Sequence, residues 1–164
     1  MAPPDTDGAA VPAGFHQLPM DEGFVGLVGP LYVRPGPGGV FGFRVEARHA
    51  NPVGICHGGM VMTVADMAVG FAALLASGRS AFPPSINNTF DFLAPARIGD
   101  WLETRVDFVH PTRRMATAHG LVHRDGEAIV RFNGICRLPR DDDPRFAGDG
   151  RFQRMMDLLQ GAGG

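Results

Sequence analysis

The 164-residue chain contains no lysine; all 15 of its basic residues are arginine. That absence removes Schiff-base catalysis and a lysine general base from consideration. Cysteine is nearly absent too: Cys56 and Cys136 are too few for a disulfide scaffold and lack metal-ligand spacing. The six histidines are scattered without an HExxH arrangement, so no bound metal is expected. A basic excess is missing as well. With a net charge of −2 and a pI near 6.3, little is available to neutralise phosphates, which argues against nucleic acid as the main partner. The N-terminal stretch carries Asp5 and Asp7 where an export signal would carry basic residues, so a cytoplasmic protein is expected.

Within a globular composition of 45% hydrophobic and 20% charged residues, enough for one domain with a substantial core, charge is scarcest between His57 and Gly78. Asp66 is the lone acid there, and no base occurs. A carboxylate in such a setting costs several kcal/mol unless it is paired, hydrated or used, which makes Asp66 the first candidate for chemistry. The run from Met60 to Ala76 approaches membrane-spanning length. Asp66 near its middle, two glycines ahead of it and no flanking basic anchors favour a buried helix of a soluble protein instead, with no membrane partner.

That helix is expected to begin near His57–Gly59 and to stop at Gly78. Val61, Val64, Ala68, Phe71, Ala72 and Leu75 form one apolar stripe, with Asp66 roughly opposite beside Met62, Thr63, Val69, Gly70 and Ala73. A helix apolar all round must be enclosed on both sides, for example by its own sheet and by a partner subunit. Strands are expected over Leu27–Val33, Val40–His49, Ser85–Leu93, Trp101–Val109, Met115–Val122 and Ala128–Leu138. The glycine- and proline-rich run at 34–39 turns between the first two, and Asp125-Gly126 turns between the last two. Residues 1–14 read as a disordered tail, 15–25 as a short turn or helix, and 15–140 as the folded domain. In the extension at 141–164, Phe152, Met155, Met156, Leu158 and Leu159 suggest a short amphipathic helix packing on a neighbour. The expected class is α+β: an antiparallel sheet of about six strands wrapped around one long central helix, the hot-dog arrangement.

Asn51, Gly54, His57, Gly58, Gly59 and Asp66 together make the pattern N-x-x-G-x-x-H-G-G with an acid seven residues after the last glycine. With the Ser85 and Phe92–Gly99 stretches, the chain over about residues 24–138 resembles the PaaI-like hot-dog acyl-CoA thioesterases. The resemblance implies a homodimer, often assembled as a dimer of dimers, with active sites at the subunit interface. It also implies that Asp66 is general base or nucleophile and that Asn51, His57 and Gly58 are active-site residues. By the same resemblance Gly59 and Ser85 contact substrate.

The chemistry fits without metal or redox cofactor, coenzyme A being part of the substrate. Thioester hydrolysis needs a base and donors to the developing oxyanion, and the Gly58 N–H at a helix start has no intrahelical partner. Each residue also has a plainer reading. Asp66 could be a structural acid bonded across an interface, and Asn51 a loop or helix cap. His57 could orient the loop, Gly58 and Gly59 could be turn glycines, and Ser85 an ordinary strand hydroxyl. Arg113 and Arg114 could bind coenzyme A phosphates or form a solvated turn. Phe82, Phe90 and Phe92 could line an acyl pocket or the core, and Cys56 is a catalytic thiol or a small buried residue. Two other functions remain open: a non-catalytic acyl-CoA-binding module and an enoyl-CoA hydratase.

Overall fold

The computed structural model describes residues 10–161. The tail expected over 1–14 lies outside the described residues as far as residue 9. From there the chain lies on the sheet: Arg44 donates to the Ala10 carbonyl at 2.8 Å, and Phe15 meets Trp101 edge-on with ring centroids 5.1 Å apart.

Along the chain run β1 (His16–Gln17), α1 (Gly23–Val28), β2 (Tyr32–Arg34), β3 (Val40–Arg44), α2 (Gly58–Ser77), β4 (Ser85–Phe92), β5 (Trp101–Pro111), β6 (Met115–Arg124), β7 (Glu127–Arg137) and α3 (Gly150–Leu159). One seven-stranded antiparallel sheet has the order β1-β2-β3-β5-β6-β7-β4 and curls around α2. This is the α+β hot-dog arrangement, with one strand more than expected. The added strand, β1, pairs with Tyr32 and Val33.

Two expectations are corrected at the N-terminal end. Leu27 and Val28 belong to α1, and of the expected strand only Tyr32 and Val33 are extended, in a strand that runs on to Arg34. The apolar residues of α1 follow a helical rather than an alternating pattern: Val25 and Val28 pack on the core while Phe24 and Leu27 face out. Gly29 and Pro30 then end the helix. The strand expected to reach His49 stops at Arg44, because Ala47–His49 closes into a 3-10 turn whose His49 ring accepts from the Glu46 N–H.

Helix α2 is long and apolar enough to cross a membrane, yet the sheet encloses it. Val61, Val64, Ala68 and Phe71 face the main core; on the other side Val69, Gly70 and Ala73 are covered within the chain while Met62 is exposed. Val69 lies against Gly134 of β7, where a Cβ would stand 2.6 Å from the Val69 Cγ1. Glycine at 134 is what lets helix and sheet approach this closely. Ala73 packs with Ala116, Cys136 and Leu138. Helix α2 ends at Gly78, left-handed at φ 65°, whose N–H returns to the Leu74 carbonyl. Asp125 and Gly126, both at positive φ, form the two-residue turn between β6 and β7.

Helix α3 packs on its own chain. Phe152, Met155, Met156 and Leu159 are buried at helical spacing, and the Phe152 ring centroid lies 6.0 Å from that of Phe71 in α2. Asp149 caps the helix by accepting from the Arg151 and Phe152 N–H groups.

Candidate active site

The loop before α2 is organised by Asn51. Its Oδ1 accepts from the Val53 and Ile55 N–H groups at 3.1 and 3.3 Å, and its own backbone N–H and carbonyl bond to Ile55 and Gly54. Gly54 takes φ 79°, a left-handed turn position. His57 is the N-cap of α2, where its Nδ1 accepts from the Gly59 N–H at 2.9 Å. The Gly59 N–H is therefore engaged, while the Gly58 N–H stands at the first helical position without an intrahelical acceptor. The Phe92 ring lies over Gly58 so closely that a Cβ would sit 2.9 Å from its Cζ. A cavity of about 430 Å³ opens here, bordered by Asn51, Gly58, Val61, Phe92 and Ile129.

His49 anchors this loop from below. It is buried, its backbone carbonyl accepts from the His57 N–H at 2.7 Å, and its Nε2 lies 2.8 Å from the Val28 carbonyl. With Nδ1 accepting from Glu46, the ring is a neutral Nε2–H tautomer, and burial lowers its pKa from the ordinary value. A histidine held neutral stabilises the fold at pH values above its unfolded pKa. That contribution is lost as pH falls below about 6.5, where the unfolded chain binds the proton first. Urea unfolding at pH 7.5 and 5.5 is expected to show lower stability at the acid value, with a smaller drop in His49→Gln.

Asp66 lies eight residues after Gly58 on α2, about 12 Å along the helix and about 80° around it. Its Oδ1 accepts from the Ser85 hydroxyl and from the Asn88 Nδ2, both at 2.5 Å. Among the described residues no cation pairs with it. Ser85 and Asn88 are three apart on β4, an odd offset that sends side chains to opposite faces of a regular strand. A register shift between Ser85 and Asn87 inserts Ile86 as an extra residue and brings both donors to the Asp66 side. Asn88 therefore escapes the sequence pattern, and only the bulge reveals it. His49 was likewise not legible, since nothing in the sequence pairs it with the Val28 carbonyl.

The remaining candidates separate. Arg113 borders a polar hollow with Ser77, Gly78 and Arg79 at the far end of α2, about 18 Å along the helix from Asp66. Arg114 is in the same turn, its carbonyl accepting from the Leu138 N–H. Within one chain, neither reaches Asp66 or Gly58. Phe82 lines a cavity beside Asp66, Phe92 lines the one beside Gly58, and Phe90 packs on the core. Cys56 is buried; its burial, with Asp100 nearby, pushes the thiol up to about 12, so it holds no thiolate nucleophile at neutral pH.

The sequence profile of the Thioesterase superfamily matches residues 53–130. A Pseudomonas aeruginosa protein described as a putative esterase is 34% identical over 135 residues, covering 79% of this chain and 98% of that protein. Mouse acyl-coenzyme A thioesterase 13 is 33% identical over 57 residues, 35% of this chain and 40% of its own length. Among solved structures, a mutant of the phenylacetic acid degradation protein PaaI from Thermus thermophilus superposes with a TM-score of 0.63 at 27% identity. That match covers 71% of this chain and 98% of the other.

Proposed function

Since the chain belongs to the thioesterase superfamily, in its PaaI-like hot-dog branch, and is a thioester hydrolase, we propose that it cleaves acyl-CoA thioesters to free acid and coenzyme A. The observation that carries this reading is Asp66, an acid on an apolar helix oriented by two neutral donors at the end of an apolar cavity. With Ser85 and Asn88 both on Oδ1, the Oδ2 is left to act. As general base, Asp66 takes a proton from water while the water oxygen adds to the thioester carbonyl carbon. The oxyanion accepts the Gly58 N–H, the C–S bond breaks, and the departing thiolate is protonated by Asp66 or solvent. As nucleophile, an Asp66 oxygen attacks the carbonyl carbon, the C–S bond breaks to release the coenzyme A thiolate, and water then hydrolyses the mixed anhydride to the free acid and the Asp66 carboxylate. Either route needs only a carboxylate and an N–H donor, so no metal or redox cofactor enters.

The same chain cannot supply both groups to one carbonyl, because about 12 Å of helix separates Gly58 from Asp66. The site in this reading is composite, with Asn51, His57 and Gly58 of one copy facing Asp66 and Ser85 of another. The unpaired edge strand β4 supports this, exposing Ile86 and Phe92 with Leu93 just beyond. A homodimer through that edge, and a dimer of dimers beyond it, belong to the same proposal. So does a cytoplasmic setting, where the two free cysteines stay reduced.

Thiol release from acetyl-, hexanoyl-, palmitoyl- and phenylacetyl-CoA tests the activity. Saturable binding without release from any member would overturn it in favour of a binding module, and hydration of a crotonyl thioester in favour of a hydratase. For the composite site, Asn51→Ala and Asp66→Asn are purified separately and refolded together. Activity returning in the mixture but in neither parent is expected; a mixture no better than its parents would place each site within one chain.

A further inference from the structure

Two cavities meet beneath α1 and α3. The first, about 470 Å³, begins at Asp66 and Ser85 and follows α2 past Gly70 to Phe71. Its polar side chains, Thr63, Asp66 and Ser85, all stand at one end, and the rest of its lining is apolar. From Asp66 to Phe71 it runs about 7.5 Å along the helix. The second, about 410 Å³, lies between α1 and the start of α3 and reaches the surface by Arg145 and Arg151. The two share one wall of apolar side chains that includes Val25 from α1 and Met155 from α3, with the partly exposed Phe24 and Phe82. Phe82 is braced against Phe152, with ring centroids 5.7 Å apart. Both helices lie outside residues 53–130, so of the residues named in this wall only Phe82 belongs to the matched superfamily segment.

Resting on the thioesterase reading, we propose that the first chamber holds the acyl group and that Phe82 and Met155 set its length, making the substrate a medium-chain or aryl acyl-CoA. The polar end fixes the thioester at Asp66, and an apolar tail fills the space that ends at the shared wall. An acetyl group leaves that space to water, whereas each methylene buried there strengthens binding about fourfold. A palmitoyl chain runs into the wall. Gly70 supplies width, since a Cβ there would come within 3.4 Å of the Pro83 Cγ and narrow the passage.

The experiment is the kcat/KM profile over straight-chain acyl-CoAs from acetyl to palmitoyl, with phenylacetyl-CoA alongside, for wild type, Gly70→Ala and Phe82→Ala. Wild type is expected to climb about fourfold per methylene from butanoyl to a maximum near hexanoyl or octanoyl, then fall at least tenfold by palmitoyl. Gly70→Ala moves the maximum to shorter chains. Phe82→Ala joins the two chambers and moves it to longer ones. A profile flat from acetyl to octanoyl, or one maximum shared by all three proteins, overturns the proposal. Calorimetric binding of S-alkyl-CoA thioethers of the same lengths reads the chamber without turnover. Chain-length-dependent affinity that shifts in Phe82→Ala upholds the chamber even if no thioester is cleaved, an outcome that would count against the thioesterase reading alone. Length-independent affinity overturns the chamber. Melting temperatures confirm that each variant is folded.

Discussion

Asp66→Asn is expected to lower kcat for thioester hydrolysis by about 10²- to 10⁴-fold, the span that a positioned general base contributes. Asparagine keeps the shape and a side-chain oxygen able to accept from Ser85 and Asn88, so the local hydrogen bonds to β4 survive. What it loses is the second oxygen as a proton acceptor or nucleophile. Because the two donors hold the side chain from one side, the loss should fall on kcat with little change in KM, the signature of an interaction used only in the transition state. Thiol release under saturating acyl-CoA reads this directly. Full turnover in a folded Asp66→Asn protein would remove Asp66 from the chemistry and leave it a structural acid tying α2 to β4.

The largest expected effect on stability comes from Phe132→Ala, at about 3–5 kcal/mol. Phe132 is fully buried near the middle of β7 in the core around α2. Its ring takes the space that Gly120 leaves on the neighbouring strand, where a Cβ would come within 2.8 Å of the Phe132 Cζ. Strand β6, which carries Gly120, is hydrogen-bonded to β5 on one side and β7 on the other, which fixes its spacing from both. The strands therefore cannot close over the hole, and the cavity term of the substitution is kept in full. A loss of this size is a large fraction of the roughly 5–15 kcal/mol that stabilises a typical domain. Urea unfolding at fixed protein concentration should show a lower midpoint with unchanged slope. A midpoint within the range of a surface substitution would mean that β6 and β7 can repack.

The central helix was legible because its chemistry is local. An apolar run, a His-Gly-Gly start and a terminal glycine define α2 wherever the rest of the chain goes, and they set Asp66 on its less obvious face. The Asp125-Gly126 turn and the long alternating strands beside it were legible for the same reason. Residues 23–34 were not: a six-residue helix and a three-residue strand carry too few repeats for period to separate them, and packing of Val25 and Val28 on the core decided the outcome.

By itself, then, the sequence determined the hot-dog class, from the order of its elements, and the extent of α2 with Asp66 as its one acid, from spacing along that element. The tertiary structure alone decided what surrounds that acid. Ser85 and Asn88 converge on Asp66 only because a bulge shifts one strand's register, and such a shift depends on the partner strand. The chamber beyond Asp66 is walled by α1 and α3, which lie near opposite ends of the chain and meet only once the core has formed. The separation of Gly58 from Asp66 along a rigid helix was implicit in the spacing. The structure adds that the two groups border different cavities, the observation on which the proposed division of the site between two copies rests.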